Sequence, residues 1–229
     1  MNKNIKYWDD EIVARHIGTE INWLFEYLDD NNITNISFID IGGNVGKFYD
    51  ELSKKYKIDK CVIVEASNKL CDYMKDKFSN NESVEIHNVA ISDKEGYFEF
   101  NDDGIDYWSD KDVDESINLG LSKLSNSSGQ TKCILINTFL ENYNTILPSD
   151  IAFIKIDTEN RDIPILGGMM DYLIRNNIKP FILFENNYHN DMSYDEAQLI
   201  LDTFSEKCGY EKVSLKTPGD SKITPKKNR

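Results

Sequence analysis

The stretch Ser37-Phe38-Ile39-Asp40-Ile41-Gly42-Gly43-Asn44-Val45-Gly46 constrains this chain more than any other. An apolar run ends in an acid and passes straight into a glycine-rich turn. That pattern belongs to a parallel strand covered by helices on both faces, followed by a turn that brings backbone close to a ligand. Its spacing separates it from a dinucleotide site. There, G-x-G-x-x-G sets a helix N-terminus against a pyrophosphate, whereas this turn reads Asp40-x-Gly42-Gly43-x-x-Gly46, with a carboxylate at the strand end. A carboxylate repels phosphate and attracts an ammonium group, so the expected ligand carries positive charge at one end.

S-adenosylmethionine (SAM) has such an end. A second run, Lys60-Cys61-Val62-Ile63-Val64-Glu65, closes on another acid, 19 residues beyond Gly46, where ribose hydroxyls are accepted in folds of this kind. The plainer alternative is a tight turn followed by a solvated strand end. Two acids at two strand ends favour the ligand.

With 229 residues and 40% hydrophobic content, the chain can bury one substantial core without a metal or disulfide staple. The expectation is one domain over 1–216, with a helical segment at 1–35, a substrate loop or insertion at 101–132 and a loose tail at 217–229. Forty acidic against 26 basic residues give a net charge of −14, which disfavours nucleic acid and an anionic membrane as partners. The four cysteines form no C-x-x-C pair, and Cys61 and Cys133 sit inside apolar runs as small hydrophobes. No charged-then-apolar leader is visible, and no apolar run approaches the ~20 residues of a membrane span. The expected protein is therefore soluble and cytoplasmic, a monomer or homodimer.

Ile12, Val13, Ile17, Ile21, Leu24, Phe25 and Leu28 recur at helical steps ahead of the sheet. Arg15, His16 and Thr19 on that helix either cap the crevice or form a solvated face. Helices are expected over 45–56 and 68–78, and a third strand over 83–90, whose carboxyl end places Asn88, Ala90 and Ser92 where an adenine ring is held. Gly96 to Phe100 reads as a short strand. The polar stretch that follows carries Tyr107 and Trp108, either as a stacking platform for a sugar face or as anchors of the loop itself. Further strands are expected over 132–136, 151–157, 181–185 and 210–215, with helices around 139–143, 163–176 and 194–207. The fourth core strand ends at Asp157 and the fifth at Glu185, followed by Asn186 and His189. Open α/β sheets bind ligands beyond such carboxyl ends. The fold class is α/β, a Rossmann-like, doubly wound, mostly parallel sheet with an N-terminal helix.

Five ordered stretches resemble the FkbM-type SAM-dependent methyltransferases, class I enzymes acting largely on hydroxyls of sugars and natural products. They are Phe38 to Gly46, Val64-Glu65-Ala66, Asn88 to Asp93 followed by Gly96, Ile154-Lys155-Ile156-Asp157-Thr158-Glu159, and Leu183-Phe184-Glu185. The resemblance spans roughly 38–210. It implies SAM along Asp40, Gly42, Gly43, Asn44 and Gly46 and at Glu65, with Ala66 and Asn68 beside them and substrate near Asp157 and Glu159. The chain departs from the family in having Asn160 where a glycine usually follows the Asp-x-Glu motif, and it lacks an evident C-terminal hairpin.

Methyl transfer to an alcohol needs in-line placement and removal of the hydroxyl proton. Asp157, Glu159, Glu185 and His189 are the catalytic candidates. Either one of them acts as general base, or Asp157, Glu185 and Asn186 hold Mg²⁺ or Mn²⁺, which lowers the hydroxyl pKa; a third possibility is that the acids only bind hydroxyls. The expected acceptor is a sugar or glycan. The alternatives are an N- or protein methyltransferase, or a SAM-binding domain without catalysis.

Overall fold

In the computed structural model, residues 18–101, 123–158, 161–185, 192–213, 215 and 220–226 are described. The first half runs α1 (Gly18–Asp30), β1 (Asn35–Ile41), α2 (Lys47–Ser53), β2 (Lys57–Glu65), α3 (Asn68–Lys77) and β3 (Val84–Asn88). It continues with β4 (Ala90–Ser92), β5 (Gly96–Asn101), β6 (Lys123–Ser128), β7 (Thr131–Leu135) and α4 (Ile136–Asn142). The second half is β8 (Ile151–Ile156), α5 (Asp162–Asn176), β9 (Phe181–Glu185), α6 (Tyr194–Cys208) and β10 (Asp220–Ile223).

Six strands form the main sheet in the order β10-β9-β8-β1-β2-β3, parallel except for β10. Strand order reverses at β1, so β1 and β8 flank the switch point at which such sheets bind ligands. Alternating side chains divide into two cores. Ile39, Ile41, Ile154, Ile156, Ile182 and Phe184 pack towards α4, α5 and α6. Phe38, Phe153, Phe181 and Leu183 pack towards α1, α2 and α3. Phe38 and Phe153 are register partners across β1 and β8, and their rings stack 4.5 Å apart. Because both faces are covered, the strands read as apolar runs rather than alternating ones. The mostly parallel, doubly wound α/β architecture is the expected one.

Boundaries differ in three places. The third strand stops at Asn88, not at residue 90, and Ala90–Ser92 turns away to pair with β7 in a separate four-stranded sheet, β4-β7-β5-β6. The polar stretch at 101–132 ends in strand structure: β6 pairs antiparallel with β5, although 123–128 holds a single apolar residue, Leu124. Tyr107 and Trp108 lie outside the described residues, as do Ile12, Val13, Arg15, His16 and Ile17.

The C-terminal segment is the third difference. No strand forms over 210–215 among the described residues; Tyr210 makes an isolated bridge to Pro225, and Glu211 N donates to Thr224 O at 3.0 Å. The tail expected to be loose supplies β10, with Asp220 opposite Glu185 and Ile223 opposite Ile182. Backbone pairing with β9 carries this edge, and Ile223, fully buried, is its apolar anchor. Ile223→Ala is expected to cost about 2–4 kcal/mol, the range for truncating a buried isoleucine. A urea-unfolding midpoint equal to that of the parent would contradict this packing.

Candidate active site

The glycine turn is compressed between two strands. Gly42 has φ +77°, and a Cβ there would lie 1.8 Å from the backbone oxygen of Asp157. Its N–H and that of Gly43 both donate to Val64 O, at 2.8 and 3.1 Å, so the turn is fastened over the end of β2. Gly46, at φ +74°, caps α2 and would place a Cβ 2.5 Å from the Phe78 ring. Between them Asn44 adopts φ 51° and donates its N–H to Glu65 Oε2 at 2.9 Å.

Glu65 therefore organises backbone. Its other oxygen accepts the Ser67 N–H at 2.8 Å, where Ser67 caps the helix that Asn68 begins. Burial pushes the Glu65 carboxyl up to about 7, against the pull of its backbone donors. Asn88 donates its amide to Glu65 O at 3.0 Å and Ala66 O at 3.1 Å, drawing the ends of β2 and β3 together. Ala90 and Ser92 are buried in the second sheet, and Ser92 Oγ donates to Asp93 at 2.9 Å.

Beside the turn lies a cluster of buried charge. Asp40 is 1% exposed, and its register partner on β8 is Lys155. Strand side chains alternate, so Lys155 and Asp157 share a face. The Lys155 ammonium reaches Asp157 Oδ2 at 3.0 Å and Asp40 Oδ1 at 3.6 Å, above the Phe48 ring at 5.3 Å. Burial alone would lower the Lys155 pKa, but Asp157, Asp40 and Glu20 of α1 together hold it well above the usual lysine range. Asp40 moves upward, chiefly through burial and partly through Asp157, with Lys155 opposing. Lys155 thus meets the charge that two strand-end acids would otherwise leave unbalanced.

A second acid joins the ends of β8 and β9. Asp162, at the start of α5 and 1% exposed, accepts Thr158 N at 2.9 Å and Thr158 Oγ1 at 2.6 Å on one oxygen. Its other oxygen accepts Glu185 N at 2.8 Å. Burial, reinforced by Asp157, pushes its carboxyl up to about 7 despite those three donors. Since Ile156 pairs with Phe184, Asp157 and Glu185 leave adjacent strands side by side.

Asp40, Gly42, Gly43, Asn44, Gly46 and Glu65 are thus gathered at one end of the sheet with Asp157 and Glu185. Glu159, Asn186 and His189 lie outside the described residues. Of the expected metal set, Asp157 and Glu185 lie side by side and Asn186 is outside the described residues; among those described, no group of three or more His, Cys, Asp or Glu could hold a metal ion, and Asp157 Oδ2 is engaged by Lys155. Lys155 and Asp162 were not among the expected site residues. A lysine within the apolar run of a central strand is a signal for the first; nothing in the sequence distinguishes Asp162 from an ordinary acid in a helix's first turn.

A family model described as the methyltransferase FkbM domain matches residues 40–212. No curated protein matches. Among solved structures, an O-methyltransferase from Bacillus cereus in complex with SAH is 13% identical, with a TM-score of 0.52, covering 99% of this chain and 92% of that one. A SAM-dependent methyltransferase from Aquifex aeolicus is 11% identical, with a TM-score of 0.43, covering 96% and 95%. A methyltransferase FkbM from Methylobacillus flagellatus is 11% identical, with a TM-score of 0.47; the match covers 83% of this chain but 43% of that protein's length. The Bacillus structure supports the fold, and the span of the family match takes in the turn, the buried charge cluster and the strand ends: this chain belongs to the FkbM methyltransferase family.

Proposed function

We propose that the chain transfers the methyl group of SAM to a hydroxyl of a sugar or glycan. The observation that carries this reading is the placing of a glycine cradle and Asp40 beside Asp157 and Glu185, at the switch point of one sheet. What fits the cofactor is a pair of buried oxygens beside the turn: Asn44 Oδ1 and Asp40 Oδ1, the latter 3.6 Å from the Lys155 ammonium, accept no hydrogen bond among the described residues. Asp40 to Gly46 would hold the methionine portion and Glu65 the ribose. When bound, SAM supplies an electrophilic methyl group on a sulfonium.

The remaining work falls to the protein. Asp157, whose side chain is 41% exposed, and Glu185 beside it accept hydrogen bonds from neighbouring hydroxyls of the acceptor, fixing the reacting oxygen in line. A strand-end carboxylate would take the proton of the acceptor hydroxyl. Two adjacent acids suit a neutral polyol better than a phosphorylated acceptor, and the net charge of −14 acts in the same direction.

The test is calorimetric titration of SAM followed by labelled methyl transfer to neutral oligosaccharides. The expected product is a methyl ether on a sugar hydroxyl. SAM affinity should fall roughly tenfold or more in Asp40→Asn, the scale of ~1.5–3 kcal/mol for a hydrogen bond to a charged group. Lys155 already supplies a cation to Asp157, so EDTA is expected to leave turnover intact. Activity abolished by EDTA and restored by Mg²⁺ or Mn²⁺ would point to Asp157, Glu185 and Asn186 as metal ligands, and SAM binding without any transfer would mark a binding domain.

A further inference from the structure

We infer that Lys155 is a positioning residue whose single buried ammonium is shared between Asp40 on the cofactor side and Asp157 on the acceptor side, so that a change at either carboxylate is felt at the other. The inference rests on the assignment of Asp40 to the cofactor given above.

Register fixes the arrangement. Lys155 lies directly across β1 and β8 from Asp40, and Asp157 follows two residues later on the same face. The ammonium is closer to Asp157, at 3.0 Å, than to Asp40, at 3.6 Å, and has carboxylates on both sides. Its surroundings leave it little choice. Phe48 of α2 covers it at 5.3 Å, and Glu20 of α1, itself 7% exposed, adds a third acid to its field. At 4% exposure Lys155 has little access to water, so its charge is balanced by protein groups.

In such a setting a single cation cannot serve both acids fully. When Asp157 engages an acceptor hydroxyl, its hold on the ammonium weakens and Asp40 gains it. When Asp40 engages a cationic ligand group, the ammonium is displaced towards Asp157. Occupancy at one strand end therefore alters the charge presented at the next. Couplings between two ligand sites are commonly ~5–150-fold in affinity. A lysine that merely filled space would transmit nothing.

The experiment is a double-mutant cycle read as SAM affinity by calorimetry, which requires no turnover. In the parent chain, Asp157→Asn is expected to weaken SAM about tenfold, because Lys155 then turns wholly to Asp40 and competes for it. In the Lys155→Met background, the same Asp157→Asn change should alter SAM affinity by less than about twofold, and Lys155→Arg should recover part of the coupling. Equal effects of Asp157→Asn with and without Lys155 would overturn the inference. If Lys155→Met fails to fold, the parent-chain arm still decides, since unchanged SAM affinity in Asp157→Asn is incompatible with a shared cation. Asp40→Asn separates the two levels. If that change leaves SAM affinity intact, the cofactor assignment itself fails; if it weakens SAM while the cycle is additive, only the shared cation is rejected.

Discussion

Gly42→Ala is expected to destabilise the fold by about 4 kcal/mol or more, enough to leave little folded protein in a domain of ordinary stability. Two penalties combine. A residue with a Cβ held near φ +77° loses roughly 1–2 kcal/mol to its own backbone. The larger one is steric, since the new methyl would sit 1.8 Å from the Asp157 carbonyl oxygen, which is backbone and cannot rotate away. Relief requires moving the end of β8 from the turn, and that strains the bond from Asp157 N to Ile41 O at 2.9 Å. The same displacement carries Asp157 and Lys155 away from Asp40, so any folded fraction should also lose cofactor affinity. Urea unfolding of the purified variant measures the first effect. A loss under 1 kcal/mol would mean that the turn is not clamped between the ends of β2 and β8 as described.

The sequence made the central strands legible for a physical reason: helices cover both faces, so 36–41, 61–65, 151–156 and 181–184 are nearly unbroken apolar runs. The family and the mostly parallel α/β class followed from the acids and glycines at the ends of those runs. Edges were not legible. β10 buries one isoleucine and takes the rest of its order from pairing with β9, which leaves no pattern in Asp220-Ser221-Lys222-Ile223. The switch of Ala90–Ser92 into a second sheet is equally silent, because no glycine or proline separates it from β3. At the site, strand-end acids can be named from position alone. Their partners cannot: Lys155 meets Asp40 only through the register of β1 on β8, and register is a property of the assembled sheet.

Asp162→Ala should be the most damaging change near the acceptor end that alters no group proposed to touch substrate. It leaves Thr158 N, Thr158 Oγ1 and Glu185 N without their acceptor, and a buried donor left unpaired costs about 1–3 kcal/mol. A loss of about 3–6 kcal/mol is therefore expected, together with separation of Asp157 from Glu185. Asp162→Asn is the gentler probe. One amide oxygen can still accept from Thr158, but the amide nitrogen cannot accept from Glu185 N. It also isolates a pH effect whose sign is fixed. The Asp162 carboxyl is raised from 3.8 to about 7 in the folded chain, so between those values the folded state holds a proton that the unfolded state has released. Stability contributed by this group is complete below pH 3.8 and declines as pH rises towards about 7, where the folded carboxyl ionises too. Asparagine has no such titration. The deficit of Asp162→Asn relative to the parent should therefore be greatest near pH 4 and shrink by pH 8. Glu65, raised in the same sense, contributes equally to both chains and cancels in the comparison. Parallel unfolding curves for parent and variant across that range would show that burial does not hold the Asp162 proton, and that the three donors keep the carboxyl ionised throughout.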